Sequence, residues 1–176
     1  MLADRSAYFR SHYNVAFRVT GIASRRLGWI ADSTGIDPEK CGAGTPACEI
    51  SPGSVGVWLK NAQADVLFEA TSLNVENGQP AVDHIRAALN HRAHAITANK
   101  GPIVHAYSEL RDLAAAKGKH FFFESTVMDG APIFSLFEQL PAIHLQGFHG
   151  ILNSTTNVIL SQMEQGLSFD EALKKA

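Results

Sequence analysis

The chain has 176 residues, 45% of them hydrophobic and 18% charged, with a net charge of −2. That is enough apolar material for one domain or one and a fraction with a real core, and it excludes a disordered chain. The near-neutral balance removes any electrostatic reason to expect nucleic acid or an anionic membrane surface as a partner. No apolar run approaches about eighteen residues and no signal-type sequence opens the chain, so a cytoplasmic location is expected. Cys41 and Cys48 are the only cysteines. Their spacing does not suit a zinc knuckle, and they read as reduced thiols.

In chain order, Leu2–Tyr13 reads as a helix and Ala16–Ala23 as a strand leading into Ser24-Arg25-Arg26. Residues 31–53 lack a period and read as loop. Ser54–Asn61 reads as a short helix capped near Ser51 or Gly53. A regular rhythm follows. Ala64–Ala70 is a strand, Pro80–Arg92 a helix with Val82, Ile85, Ala88 and Leu89 inward, and His94–Ala98 a strand. Asn99–Pro102 is a polar turn, Ile103–Lys117 a helix stopped by Gly118, and His120–Thr126 a buried strand. Alternation of this kind means an α/β fold with a parallel sheet. Beyond it, Pro132–Leu140 reads as a helix, Ile143–Gly150 as a strand with one wet face, and Ser154–Gln165 as a helix. Ser168–Glu171 is a capping box that starts a last helix.

In a parallel sheet, ligands bind at the carboxyl ends of the strands. Those ends carry Ser24-Arg25-Arg26, Thr71-Ser72, Thr97–Lys100 and Glu124–Gly130, a set suited to a phosphorylated, polar cofactor. A basic pair after the second strand of a dinucleotide fold accommodates a 2′-phosphate, so Arg25 and Arg26 favour NADP over NAD. The alternative is a solvated surface pair. Lys100, after Thr97-Ala98-Asn99, is the candidate catalytic residue, able to orient a carbonyl and give it a proton. The alternative is a surface lysine at a helix entry. Glu124, after three phenylalanines, is expected to lie deep. It either holds a hard cation together with carbonyls of the 127–131 loop, or accepts bonds from nearby backbone amides. The eight histidines form no metal signature and read as structural or exposed.

Three stretches make the chain resemble homoserine dehydrogenase: Thr97–Pro102 (TANKGP), Phe123–Phe134 (FESTVMDGAPIF) and Gly147–Asn157 (GFHGILNSTTN). The tail Met163–Leu173 is similar as well, so the resemblance covers nearly the whole chain. It implies NAD(P)-dependent interconversion of aspartate semialdehyde and homoserine in threonine and methionine biosynthesis. It implies that Thr71 and Lys100 touch the nicotinamide cofactor, with Ser72, Thr97 and Asn99 beside them, and that Lys100 also assists at the substrate carbonyl. A monovalent cation such as sodium is implied at Glu124, Val127, Asp129 and Ala131, the last three through backbone oxygens. Gly150, Asn153, Ser154 and Thr155 are implied on the side of a small-molecule substrate, and a homodimer is implied for the full-length enzyme.

The chain departs from that family at both ends. It lacks the opening strand and G-x-G-x-x-G turn, and it stops before the later substrate-binding part. The expectation is therefore a Rossmann-like sheet without its first strand over residues 1–122, then the start of an α+β catalytic domain over 123–176. Strands 16–23 and 64–70 would lose the neighbour between them, leaving open edges that favour association. NADP(H) binding by this chain is expected to be weak or absent, because the glycines and helix N-terminus that hold a pyrophosphate are missing. An inactive remnant and a non-catalytic α/β binding module are the competing readings.

Overall fold

The computed structural model describes residues 4–41, 54–128, 130–151 and 153–176. The chain divides into two compact units, residues 1–123 and residues 124–176.

The first unit is built on amphipathic helices laid against a small parallel sheet. Helix α2 (Val55–Ala62) starts where Ser54 accepts the Val57 N–H at 3.3 Å, and it ends at Gln63 in the left-handed region. Its inward residues are Trp58, Leu59 and Ala62. Helix α3 (Ala81–Asn90) buries Val82, Ile85, Ala88 and Leu89, the face its periodicity predicts. Helix α4 (Lys100–Lys117) is capped by Asn99, whose Oδ1 accepts the Gly101 N–H at 3.0 Å, and it is stopped by Gly118. It buries Leu110 and Ala114 but breaks helical geometry at Ala106. Arg86 of α3 donates to Glu109 of α4 through Nε and Nη2, which fixes the two helices side by side.

Strands β3 (Val66–Glu69), β4 (His94–Thr97) and β5 (Phe121–Phe122) form the parallel sheet in the order β3-β4-β5. The register pairs Leu67 with Ala95 and Ala95 with Phe121. Leu67 and Ala95 join Trp58, Leu59, Ile85, Leu89 and Leu110 in one core, with Phe121 packed against it. The opposite face carries Phe68, Ile96 and Phe122 in register, and Phe68 is 63% exposed.

The α/β architecture agrees with expectation, and several elements differ in detail. Residues 16–23 do not join the parallel sheet. Instead β1 (Gly21–Ser24) pairs antiparallel with β2 (Gly28–Ala31), a strand the sequence did not signal. The pairing puts Arg25 and Arg26 in a hairpin turn, where the Leu27 N–H donates to Ser24 Oγ at 3.0 Å. A short 3-10 turn at Pro38–Lys40 interrupts the expected loop. The first helix, α1, is Ser6–Tyr13. Lys100 lies in the first turn of α4 and not in a separate turn, because Asn99 begins the helix ahead of Pro102. The strand expected at 120–126 shrinks to two residues, and Glu124–Thr126 forms a 3-10 turn.

The second unit is helical among its described residues. Helix α5 (Phe134–Glu138) is shorter than expected. Helices α6 (Ser154–Glu164) and α7 (Phe169–Lys175) pack on one another. The capping box is present: Ser168 Oγ accepts the Glu171 N–H and Glu171 accepts the Ser168 N–H at 2.9 Å. Residues 143–150 are not a strand. Their alternation is real, but a strand needs a paired neighbour, and no described residue of this unit supplies one.

Candidate functional site

Two strand ends converge next to α4. A cleft of about 160 Å³ is lined by Ala70, Thr71 and Leu73 after β3 and by Ala98, Asn99 and Lys100 after β4. This is the carboxyl edge of the parallel sheet, where such folds place ligands. The volume falls below the low end of about 300 Å³ for a pocket that encloses a whole ligand, so it suits one ring. A larger open concavity between Ser54 and His91, on α2 and α3, is lined by none of the residues expected to bind ligand.

The cleft is organised by a residue that sequence reasoning did not single out. Glu69 ends β3 and is buried, 4% exposed. A buried carboxylate needs donors. Here Oε1 accepts the Thr71 N–H at 2.7 Å and the Thr71 hydroxyl at 2.6 Å, while Oε2 accepts the Thr97 hydroxyl at 2.7 Å. Thr97 Oγ1 in turn accepts the Asn99 N–H at 3.0 Å, and Asn99 Nδ2 donates to the Thr71 carbonyl at 3.1 Å. The two strand ends are thus stitched into one unit. An acid closing an apolar strand (VLFEA) was the available signal, because the alternation of β3 points it inward with Leu67.

Of the expected cofactor residues, Thr71, Asn99 and Lys100 line the cleft. Thr97 is 1% exposed and lies beneath it. Ser72 is exposed and is not among the lining residues. Lys100 is exposed and makes no ion pair with any described residue. Arg25 and Arg26 project from the β1–β2 turn, exposed and likewise without an ion pair among the described residues.

In the second unit Glu124 is half-buried and not deep. Its two carboxylate oxygens accept the Phe134 and Ser135 N–H groups, each at 2.9 Å. Desolvation pushes its pKa up, but hydrogen bonds from the Ser135 and Phe134 N–H groups, with the Ser135 side chain and the Ile133 backbone, hold the carboxyl below its ordinary value. Of the two readings of Glu124, backbone capping is therefore realised. Val127 and Ala131 flank the turn, and Asp129 lies outside the described residues. Among the described residues no group of three His, Cys, Asp or Glu side chains is placed to hold a metal. Asn153 caps α6, its Oδ1 accepting the Thr156 N–H at 2.8 Å, with Ser154 and Thr155 in the first turn. Gly150 sits in an exposed bend.

Cys41 is a free, half-buried thiol, and Cys48 lies outside the described residues. Among the described residues no helix is long and apolar enough to cross a membrane.

Comparison with known proteins extends these observations. The family profile described as homoserine dehydrogenase, NAD binding domain, matches residues 3–124, and the profile described as homoserine dehydrogenase matches residues 132–176. An NAD(+)-dependent homoserine dehydrogenase of Pseudomonas canavaninivorans is 33% identical over 186 aligned positions, spanning 100% of this chain and 53% of the relative. A homoserine dehydrogenase of Methanocaldococcus jannaschii is 36% identical, spanning 100% of this chain and 55% of the relative. A mutant homoserine dehydrogenase of a hyperthermophilic archaeon, solved in complex with NADPH, superposes with a TM-score of 0.75. It is 26% identical and covers 99% of this chain and 56% of its own. The chain spans about half the length of the curated relatives it matches.

Proposed function

The chain belongs to the homoserine dehydrogenase family, and from that premise we propose that it serves the NADP-linked interconversion of aspartate semialdehyde and homoserine. The observation that carries the reading is the cleft at the ends of β3 and β4, with Thr71, Asn99 and Lys100 on its walls. It offers a hydroxyl, an amide and an ammonium group on rigid supports, which suits a nicotinamide ring and an adjoining carbonyl. When bound, the nicotinamide cofactor supplies or accepts the hydride. Thr71 and Asn99 hold the ring, with Thr97 supporting them from below. Lys100, at the start of α4 and free of any described ion pair, orients the substrate carbonyl and gives its oxygen a proton from Nζ.

The basic turn Arg25-Arg26 supports a 2′-phosphate and so NADP, with NAD as the alternative. The remaining assignments follow the family. Glu124, Val127, Asp129 and Ala131 hold a monovalent cation such as sodium, the first through its carboxylate and the last three through backbone oxygens. Gly150, Asn153, Ser154 and Thr155 line the substrate side. The small-molecule substrate, a cytoplasmic location, a homodimer for the full-length enzyme and a role in threonine and methionine biosynthesis complete the proposal.

The test is an assay of NADPH oxidation by the purified chain with aspartate semialdehyde. Turnover that falls at least about a hundredfold in Lys100→Ala, the scale of a lost general acid, is expected. No turnover at saturating NADPH and aspartate semialdehyde overturns the activity for this chain. Turnover undiminished by the substitution removes Lys100 from the chemistry.

A further inference from the structure

Thr71 is exposed at the cleft, yet its hydroxyl proton is already committed. A hydroxyl has one proton to donate and two lone pairs to accept with. Thr71 Oγ1 donates to Glu69 Oε1 at 2.6 Å. That oxygen also receives the Thr71 N–H at 2.7 Å, and an N–H can only donate, so Oε1 is an acceptor in this network. The other oxygen, Oε2, receives the Thr97 hydroxyl, whose own lone pair takes the Asn99 N–H. No donor in the network is left to reverse the direction of the Thr71 bond. What Thr71 presents to the cleft is lone pairs alone.

We propose that Glu69 is a positioning residue that sets ligand specificity: by taking the Thr71 proton it makes Thr71 an obligate acceptor. The cleft then takes a pyridine ring whose substituent donates a hydrogen bond, as a carboxamide NH₂ does. It discriminates against the same ring bearing an acetyl group, which has no proton to give. This inference rests on the nicotinamide reading of the cleft and adds the group that reads the carboxamide. A buried carboxylate enforces such a choice well, because turning the Thr71 hydroxyl away would take from Oε1 one of its two donors.

The experiment compares NADPH with its reduced 3-acetylpyridine analogue by NMR line-shape titration of the full chain, a method that reads weak binding. The wild type is expected to favour NADPH by about tenfold, the worth of one hydrogen bond of about 1.4 kcal/mol. In Glu69→Gln the Thr71 N–H still requires the amide oxygen at its end, so the Thr71 hydroxyl still donates there and the preference is expected to persist; in Glu69→Leu no acceptor holds that hydroxyl, its proton is free for the ligand, and the preference is expected to fall to within about twofold. Thr71→Val removes the exposed hydroxyl, leaves Oε1 its bond from the residue 71 N–H, and is expected to lose the preference as well, while Thr71→Ser keeps it. That pair decides the matter if Glu69→Leu does not fold. A Glu69 with a merely structural role would weaken both ligands by the same factor, and that result overturns the proposal. So does a wild type that binds both ligands alike, or a Thr71→Val variant that keeps the preference. A wild type that binds neither dinucleotide overturns the nicotinamide reading itself, and this inference with it.

Discussion

The hydroxyl of Thr97 serves two partners at once, donating to Glu69 Oε2 and accepting the Asn99 N–H. Both its roles are buried, so no water can replace it at low cost. Thr97→Val keeps the shape and removes both bonds, leaving a carboxylate oxygen without its donor. The expected cost is about 2 kcal/mol, read as a lower urea midpoint with an unchanged m-value, with Thr97→Ser close to wild type. At this scale the place of Thr71, Asn99 and Lys100 at the cleft was readable from the sequence, because strand ends next to helix starts collect polar side chains. Alternation alone puts Glu69 on one face with Leu67 and leaves Val66 and Phe68 on the other, so VLFEA offers two apolar faces and does not say which is covered. The helical residues packed on Leu67 make the Glu69 face the buried one.

Among elements, the start of α4 is placed by backbone contact as much as by its cap. A Cβ on Gly101 would stand 2.8 Å from the Gly78 Cα, and one on Gly78 would meet the Gly101 carbonyl at 2.9 Å. Gly78 also holds a φ of +69°, which side chains resist. The 74–78 turn and the first turn of α4 therefore touch backbone to backbone, next to Lys100. Gly101→Ala is expected to destabilise the chain by about 2 kcal/mol through overpacking, seen as a lower melting temperature, whereas a Gly118→Asn change at the far end of α4 costs less. The helices α2, α3 and α4 were readable as elements because each carries apolar residues at helical spacing, although α2 is capped by Ser54 and not near Ser51 or Gly53, and α4 starts at Lys100 and not at Ile103. The β1–β2 hairpin was not. Its strands are joined by Arg-Arg-Leu and not by a compact turn signal such as Asn-Gly, so nothing marks Gly28–Ala31 as a returning strand. The two-residue β5 was overestimated for the opposite reason, since a run of three phenylalanines advertises more burial than Phe122 receives at 48% exposure.

Across the whole molecule, order is unevenly distributed. The buried apolar residues from Trp58 to Ala114 belong to the first unit, and among the described residues of the second only Thr126 and Ala172 are buried. Residues 141–150 carry neither helix nor strand and are exposed throughout. Limited proteolysis is therefore expected to cut first within 141–150 and to leave an N-terminal fragment that resists further digestion. Primary cleavage between 81 and 117 would contradict this distribution of stability. The alternation at 143–150 misled for a related reason, because a pattern of period two states only which residues want burial and not what will bury them. One contact in the first unit carries a practical consequence. The two tryptophans of the chain, Trp29 on β2 and Trp58 on α2, meet edge to face with centroids 5.5 Å apart, and the Trp58 indole donates to the Ile30 carbonyl at 2.8 Å. Because Trp29 rides on the hairpin and Trp58 on the helical core, the indole emission and the exciton signal of this pair together form an optical gauge of whether the arginine-bearing hairpin is docked, available without any label.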